Sequence, residues 1–83
     1  MSTDRLTVAH VLGEIAALLE FRGENPFRVR AFRTAARAIV HLPGSVETAL
    51  ADGSLAATRG IGPATLAIVR ELLSTGRSEY LEE

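Results

Sequence analysis

Apolar residues recur every three or four positions through the first quarter of the chain. Val8, Val11, Leu12, Ile15, Leu18 and Leu19 form one stripe, which predicts a helix from about Thr3 to Phe21. His10, Glu14 and Ala17 fall on the other side, which makes His10 a surface residue. Thr3 or Asp4 can cap the start by accepting bonds from backbone N–H groups that lack helical partners. The run Arg22-Gly23-Glu24-Asn25-Pro26 breaks this helix. Gly23 suits its C-terminal cap, and Pro26 suits the first turn of a second helix running to about His41. Val29, Phe32, Ala35, Ala36, Ile39 and Val40 make the predicted buried face of that helix.

Leu42-Pro43-Gly44 ends the second helix, and His41 falls at its exposed end. Ser45 can cap a short third helix over Val46 to Ala51, closed by Asp52-Gly53. A further turn of helix, about Ser54 to Thr58, leads into Arg59-Gly60-Ile61-Gly62-Pro63. The last helix runs from Pro63 to about Thr75, with Leu66, Ile68, Val69, Leu72 and Leu73 on its apolar side. Ala67, Arg70, Glu71 and Ser74 face outward, Gly76 stops the helix, and residues 77–83 form a polar tail. No segment shows strand alternation. The pattern predicts one all-α domain over residues 1–83, a compact bundle of four to five short helices.

Length and composition narrow the function. A chain of 83 residues holds a thin core, which argues against a deep enclosed active site. It has no cysteine, so neither a disulfide framework nor a thiolate metal site is expected. The two histidines have no partners at ligand spacing, and no apolar run is long enough to span a membrane. MSTDRLTVAH carries Asp4 and no long apolar stretch, unlike a secretory signal; a cytoplasmic monomer is expected. The formal net charge of −1 argues at first against nucleic acid, but its distribution does not. All nine basic residues are arginine, and Arg22, Arg28, Arg30, Arg33 and Arg37 fall close together. Glu79, Glu82 and Glu83 concentrate acid in the tail. Arg30, Arg33 and Arg37 share a stripe opposite the apolar face of their helix; it can meet phosphate or simply be solvated.

The informative element is Gly60-Ile61-Gly62, between a short helix and a longer one. Glycine admits positive φ and close backbone approach. Ile61 can plug into the core and pin the bend, and Gly62 leads directly into a helix N-terminus. There the first N–H groups lack helical partners and the dipole end is positive, a backbone anion site suited to phosphate. Such a site holds a phosphodiester and ignores base identity. The plain alternative is a tight connection between two helices.

Several segments together resemble the amino-terminal helix-hairpin-helix domain of family X DNA polymerases. They are Gly23-Glu24-Asn25-Pro26-Phe27-Arg28-Val29-Arg30-Ala31-Phe32-Arg33-Thr34-Ala35-Ala36-Arg37-Ala38-Ile39, Leu42-Pro43, Gly60-Ile61-Gly62 and Glu71-Leu72-Leu73-Ser74-Thr75-Gly76. They follow the family's order and spacing over nearly the whole chain. The resemblance implies a helix-hairpin-helix motif and sequence-independent binding to DNA, gapped or 5′-phosphorylated, as a module of a repair polymerase. It assigns phosphate contacts to Gly60, Ile61, Gly62 and Ala64, and places Arg28 near the 5′-phosphate; Arg30, Arg33, Arg37 and Arg59 are candidate auxiliary contacts. It also implies a monovalent cation, Na or K, held by the carbonyls of Ala56, Thr58 and Ile61; no other cofactor is expected. Phe32 stands where some members have tyrosine and lacks the hydroxyl. Leu66 stands where the motif has a small residue, which bears on how closely the last helix packs.

Some members are lyases that form a Schiff base between a lysine amine and a 5′-deoxyribose phosphate. The matching position is Ile68, a supporting lysine position is Ala64, and the chain has no lysine at all. Arginine cannot replace it, because the guanidinium stays protonated. The chain is therefore expected not to be an enzyme by itself, with the lyase and a protein-interaction module as alternatives. Met1 reads as a natural start, while Leu81-Glu82-Glu83 resembles the point where the family continues into its next domain. The leading piece of a longer polymerase or phosphoesterase is favoured over a free-standing protein.

Overall fold

A computed structural model describes residues 4–75, and these form five helices with no strand among the described residues. They are α1 (Arg5–Phe21), α2 (Pro26–Val40), α3 (Val46–Ala51), α4 (Ser54–Ala57) and α5 (Pro63–Thr75). The fold is all-α and compact. Three N-caps follow from side chains written into the sequence. Asp4 accepts from the Thr7 amide at 2.8 Å, Asn25 from Phe27 at 2.9 Å, and Ser45 from Thr48 at 3.1 Å. Asp4 rather than Thr3 is thus the first cap, and α1 begins at Arg5. At the other end of α1, Gly23 takes a φ of +72°. The Gly23 amide bonds to the Glu20 carbonyl and the Glu24 amide to that of Leu19, the two bonds of a Schellman closure.

Helices α1 and α2 form an antiparallel pair. Arg5, at the start of α1, reaches the end of α2; Glu20, near the end of α1, reaches Arg33. Their interface buries Val8, Ala9, Leu12, Ile15, Ala16 and Leu19 against Val29, Phe32, Ala35 and Ile39. Ala9 and Ala16 were not part of the expected stripe; small side chains there belong to the core. The same core takes Leu42, Val46, Ala49 and Leu55 from the short segments and Ile68, Val69 and Leu72 from α5. Val11, Ala36, Leu66 and Leu73 are only partly buried.

Four expectations need correction. Helix α2 ends at Val40, with His41 as its C-cap, and α4 ends at Ala57 rather than Thr58. Val40, expected in the core, is 39% exposed because it lies at the last turn, beyond the core positions that end with Ile39. Thr65, which the apolar pattern leaves unassigned, is the one buried polar residue among the described residues. Glu71, expected to face outward, is half-buried and engaged. Gly76 and the tail over residues 77–83 lie outside the described residues.

Arg5 was missed. A cation in the first turn of a helix opposes the macrodipole. Its guanidinium instead donates to the carbonyls of Val40 at 3.4 Å, Leu42, and Gly44 at 3.0 Å, where α2 ends and a cation is favoured.

Acid should loosen three local contacts together. The Thr7 amide holds the Asp4 carboxyl below its ordinary 3.8, and Ser54 does the same for Asp52. The hydrogen bond from Arg33 lowers Glu20 from 4.5. A carboxyl whose pKa is depressed by folding stabilises the fold above its unfolded pKa and loses that contribution as pH falls through the folded value. Thermal melting is therefore expected to show a midpoint that falls as pH drops through and below these carboxylate values. Asp4→Asn, which still caps, is expected to flatten part of that fall; a midpoint flat across this range would refute the assignment.

Candidate nucleic-acid interface

The segment between α4 and α5 is held from both sides. Leu55 is fully buried and anchors α4. The Thr58 hydroxyl donates to the Ser54 carbonyl at 2.8 Å, and the Thr58 amide to Leu55 at 3.1 Å. The Ile61 amide then donates to the Thr58 carbonyl at 3.1 Å, closing a four-residue turn over Thr58, Arg59, Gly60 and Ile61. Gly60 occupies its third position with φ +97°, the positive φ that a type II turn demands there. Ile61 rests partly buried against the core, and the Leu66 amide bonds to the Gly62 carbonyl at 2.9 Å as α5 begins.

The turn also sits on α2. A methyl at Gly60 would come within 3.0 Å of Thr34 Cγ2 and 3.8 Å of Ala38 Cβ. At Gly62 the opposite holds: a Cβ there would meet nothing within 4 Å.

These bonds divide the hairpin amides. That of Ile61 donates to the Thr58 carbonyl, so Ile61 shapes the turn. The amides of Gly60, Gly62 and Ala64 have no hydrogen bond among the described residues. Gly60 and Ala64 are exposed and Gly62 half-buried. Pro63 has no N–H, and Gly62 has no side chain to fold back over the first turn of α5, as Asp4, Asn25 and Ser45 do elsewhere. The Gly62 and Ala64 amides thus remain open at the positive end of the α5 dipole, with that of Gly60 in the turn before it. The carbonyls of Ala56 and Ile61 accept no hydrogen bond among the described residues, while that of Thr58 already accepts one. Neutral oxygens of this kind suit a hard monovalent cation. Among the described residues no His, Cys, Asp and Glu side chains cluster as a metal site.

The arginines are separated as well. Arg59, at the tip of the turn, is exposed and has no partner among the described residues. Arg33 points to α1 and makes a two-pronged pair with Glu20, at 2.9 and 3.3 Å. Arg28 meets Glu24 at 3.4 Å, and on a wheel of about 100° per residue it lies about 120° around α2 from Thr34. Of Arg28, Arg33 and Arg59, only Arg59 stands beside the open amides without a carboxylate. Exposed pairs of this kind are weak, so Arg28 and Arg33 can still exchange a carboxylate for a phosphate. His10 pairs with Glu14 at 2.6 Å on the outer face of α1. Ile68 is buried in the core, and Ala64 is exposed at the start of α5.

A family model described as a helix-hairpin-helix domain matches residues 4–78. The chain is also 33% identical, over 75 residues, to a protein of Bacillus subtilis (strain 168) named "DNA polymerase/3'-5' exonuclease PolX". That alignment covers 90% of this chain and 13% of the relative, so the chain spans about one eighth of the relative's length. No helix among the described residues is long and apolar enough to cross a membrane.

Proposed function

The chain belongs to the helix-hairpin-helix domain family, and from that premise we propose that it binds DNA through backbone phosphates without reading base sequence. One observation carries this reading: the amides of Gly62 and Ala64 are open at the N-terminus of α5 and that of Gly60 in the turn before it, with Arg59 beside them. Backbone N–H groups at a helix start complement a phosphate oxygen and offer nothing that discriminates bases. The name of the Bacillus relative supports DNA as the ligand and a polymerase as the longer context. The domain then serves as a monomeric module that anchors a repair polymerase, in the cytoplasm or at a bacterial nucleoid. Arg28, near the start of α2, receives a 5′-phosphate at a gap. The carbonyls of Ala56, Thr58 and Ile61 would hold Na or K, whose charge would bridge them to a DNA phosphate.

Its role is binding rather than bond making. Schiff-base lyase chemistry needs an unprotonated amine beside the sugar. The chain has no lysine, and the matching position is a core isoleucine, Ile68.

Fluorescence anisotropy over a salt series tests the reading. Affinity is expected to fall with a log–log slope of about −0.9 per phosphate contact on duplex DNA. It is expected to survive base scrambling, and to be higher on gapped DNA with a 5′-phosphate than with a 5′-hydroxyl. Binding without salt dependence, or dependent on one base sequence, would remove the proposal.

A further inference from the structure

Two arginines of α2 lie beside the seat of the hairpin. Gly60 faces Thr34 and Ala38. Arg30 is one turn before Thr34, about 40° around the axis from it, and Arg37 lies about 60° from Thr34 on the same side, away from Ala38. At about 100° and 1.5 Å per residue they lie about 20° apart around the axis and about 10 Å apart along it. Both are exposed, and neither guanidinium has an ion-pair or hydrogen-bond partner among the described residues. With Arg33, Glu20 and Gly23 they line a groove of about 590 Å³ between α2 and the end of α1. Glu20 is taken up by Arg33 and Glu24 by Arg28, so the charges left over in this groove are both positive.

We propose that Arg30 and Arg37 form a second phosphate subsite, which holds the DNA strand as it leaves the hairpin. This rests on the reading that the hairpin amides hold a phosphate of the same strand. Along the axis of a duplex one strand carries one charge per about 3.4 Å, so about 10 Å of axis spans about three nucleotides. Two guanidiniums on one stripe of a rigid helix match that regular row, and each can grip a phosphate with two parallel N–H donors. The contact of Gly60 with Thr34 fixes the register between the two subsites. An acidic peptide would bring carboxylates too, but the adjacent amides at the start of α5 favour a strand that runs across both elements.

The test compares three variants of the whole chain by anisotropy on duplex DNA across a salt series, with circular dichroism to verify folding. Arg30→Gln with Arg37→Gln removes the subsite. Arg22→Gln with Arg70→Gln removes the same charge from two other exposed positions. Gly62→Val blocks the hairpin alone. The first pair is expected to reduce the steepness of the log–log slope by about 1.8, two contacts at about 0.9 each, and the control pair to leave it unchanged. An unchanged slope in the first pair overturns the proposal, whether the groove takes an acidic peptide or nothing. An equal loss in the control pair also overturns it, since general charge would then explain the effect. If Gly62→Val binds normally while the α2 pair does not, the hairpin reading fails, and the proposal of one strand running across both elements is overturned with it.

Discussion

Gly62→Val is expected to weaken DNA binding by tenfold or more while leaving the fold in place. The structural half of that expectation comes from two features of the position. Its φ lies outside the left-handed region, and a Cβ there meets nothing within 4 Å. Gly62 precedes Pro63, which pushes it toward extended backbone, a region that a β-branched residue prefers. Valine is a poor helix cap, so a cost of about 1 kcal/mol or less is the ceiling for stability. The functional half comes from bulk: an isopropyl group at Gly62 adds branched volume next to the open Gly62 amide, where the proposed phosphate must come close. Hydrogen bonds to a charged oxygen contribute about 1.5–3 kcal/mol each, so losing one is roughly a tenfold to hundredfold effect. The salt slope is expected to flatten by about 0.9 for each phosphate displaced. Titrating the variant against the parent chain, with melting curves for both, checks both halves. Undiminished affinity in a folded variant would mean that the amides at this bend do not hold the DNA.

The helices were legible because their ends carry explicit chemistry. Asp4, Asn25-Pro26, Ser45 and Pro63 each mark a start, and the bounds of α3 and α5 match the expected ones. Errors fall where a single-helix pattern cannot know its neighbour. Ala9 and Ala16 are inside because the other helices pack over them, and a stripe of large residues does not reveal which small ones are covered. The Arg33–Glu20 pair joins residues 13 apart on different helices, so no spacing rule predicts it. The Arg28–Glu24 pair is an i,i+4 match that was readable, although it straddles the Asn25 cap. The commitment of the Ile61 amide was readable as well: a four-residue turn with glycine third bonds its fourth amide to its first carbonyl. What no local rule supplies is the docking of the bend on Thr34, a residue of the helix that also carries Arg30 and Arg37.

That docking contact yields the largest expected loss of stability from a single methyl group. Gly60→Ala meets two obstacles at once. The first is backbone: a φ of +97° costs an L-residue about 1–2 kcal/mol. The second is steric, because the new methyl would stand 3.0 Å from Thr34 Cγ2. Threonine in a helix has two usable χ1 wells, so the Thr34 methyl must swing to the other or the turn must lift from α2. Together these predict a loss of about 2–3 kcal/mol, and a melting midpoint lower by roughly 10–20 °C for a chain of this size. Thr34→Ala alone is expected to be nearly neutral, since the position is exposed and alanine is the better helix former. The double variant is expected to regain the steric part and keep the backbone part, so the two changes couple by at least about 0.5 kcal/mol. Additivity within about 0.3 kcal/mol would instead mean that the turn is not seated on Thr34. The cycle also reaches function. If lifting the turn separates the open amides from Arg30 and Arg37, Gly60→Ala flattens the salt slope of DNA binding, and Thr34→Ala restores the part of that slope that depends on the seat.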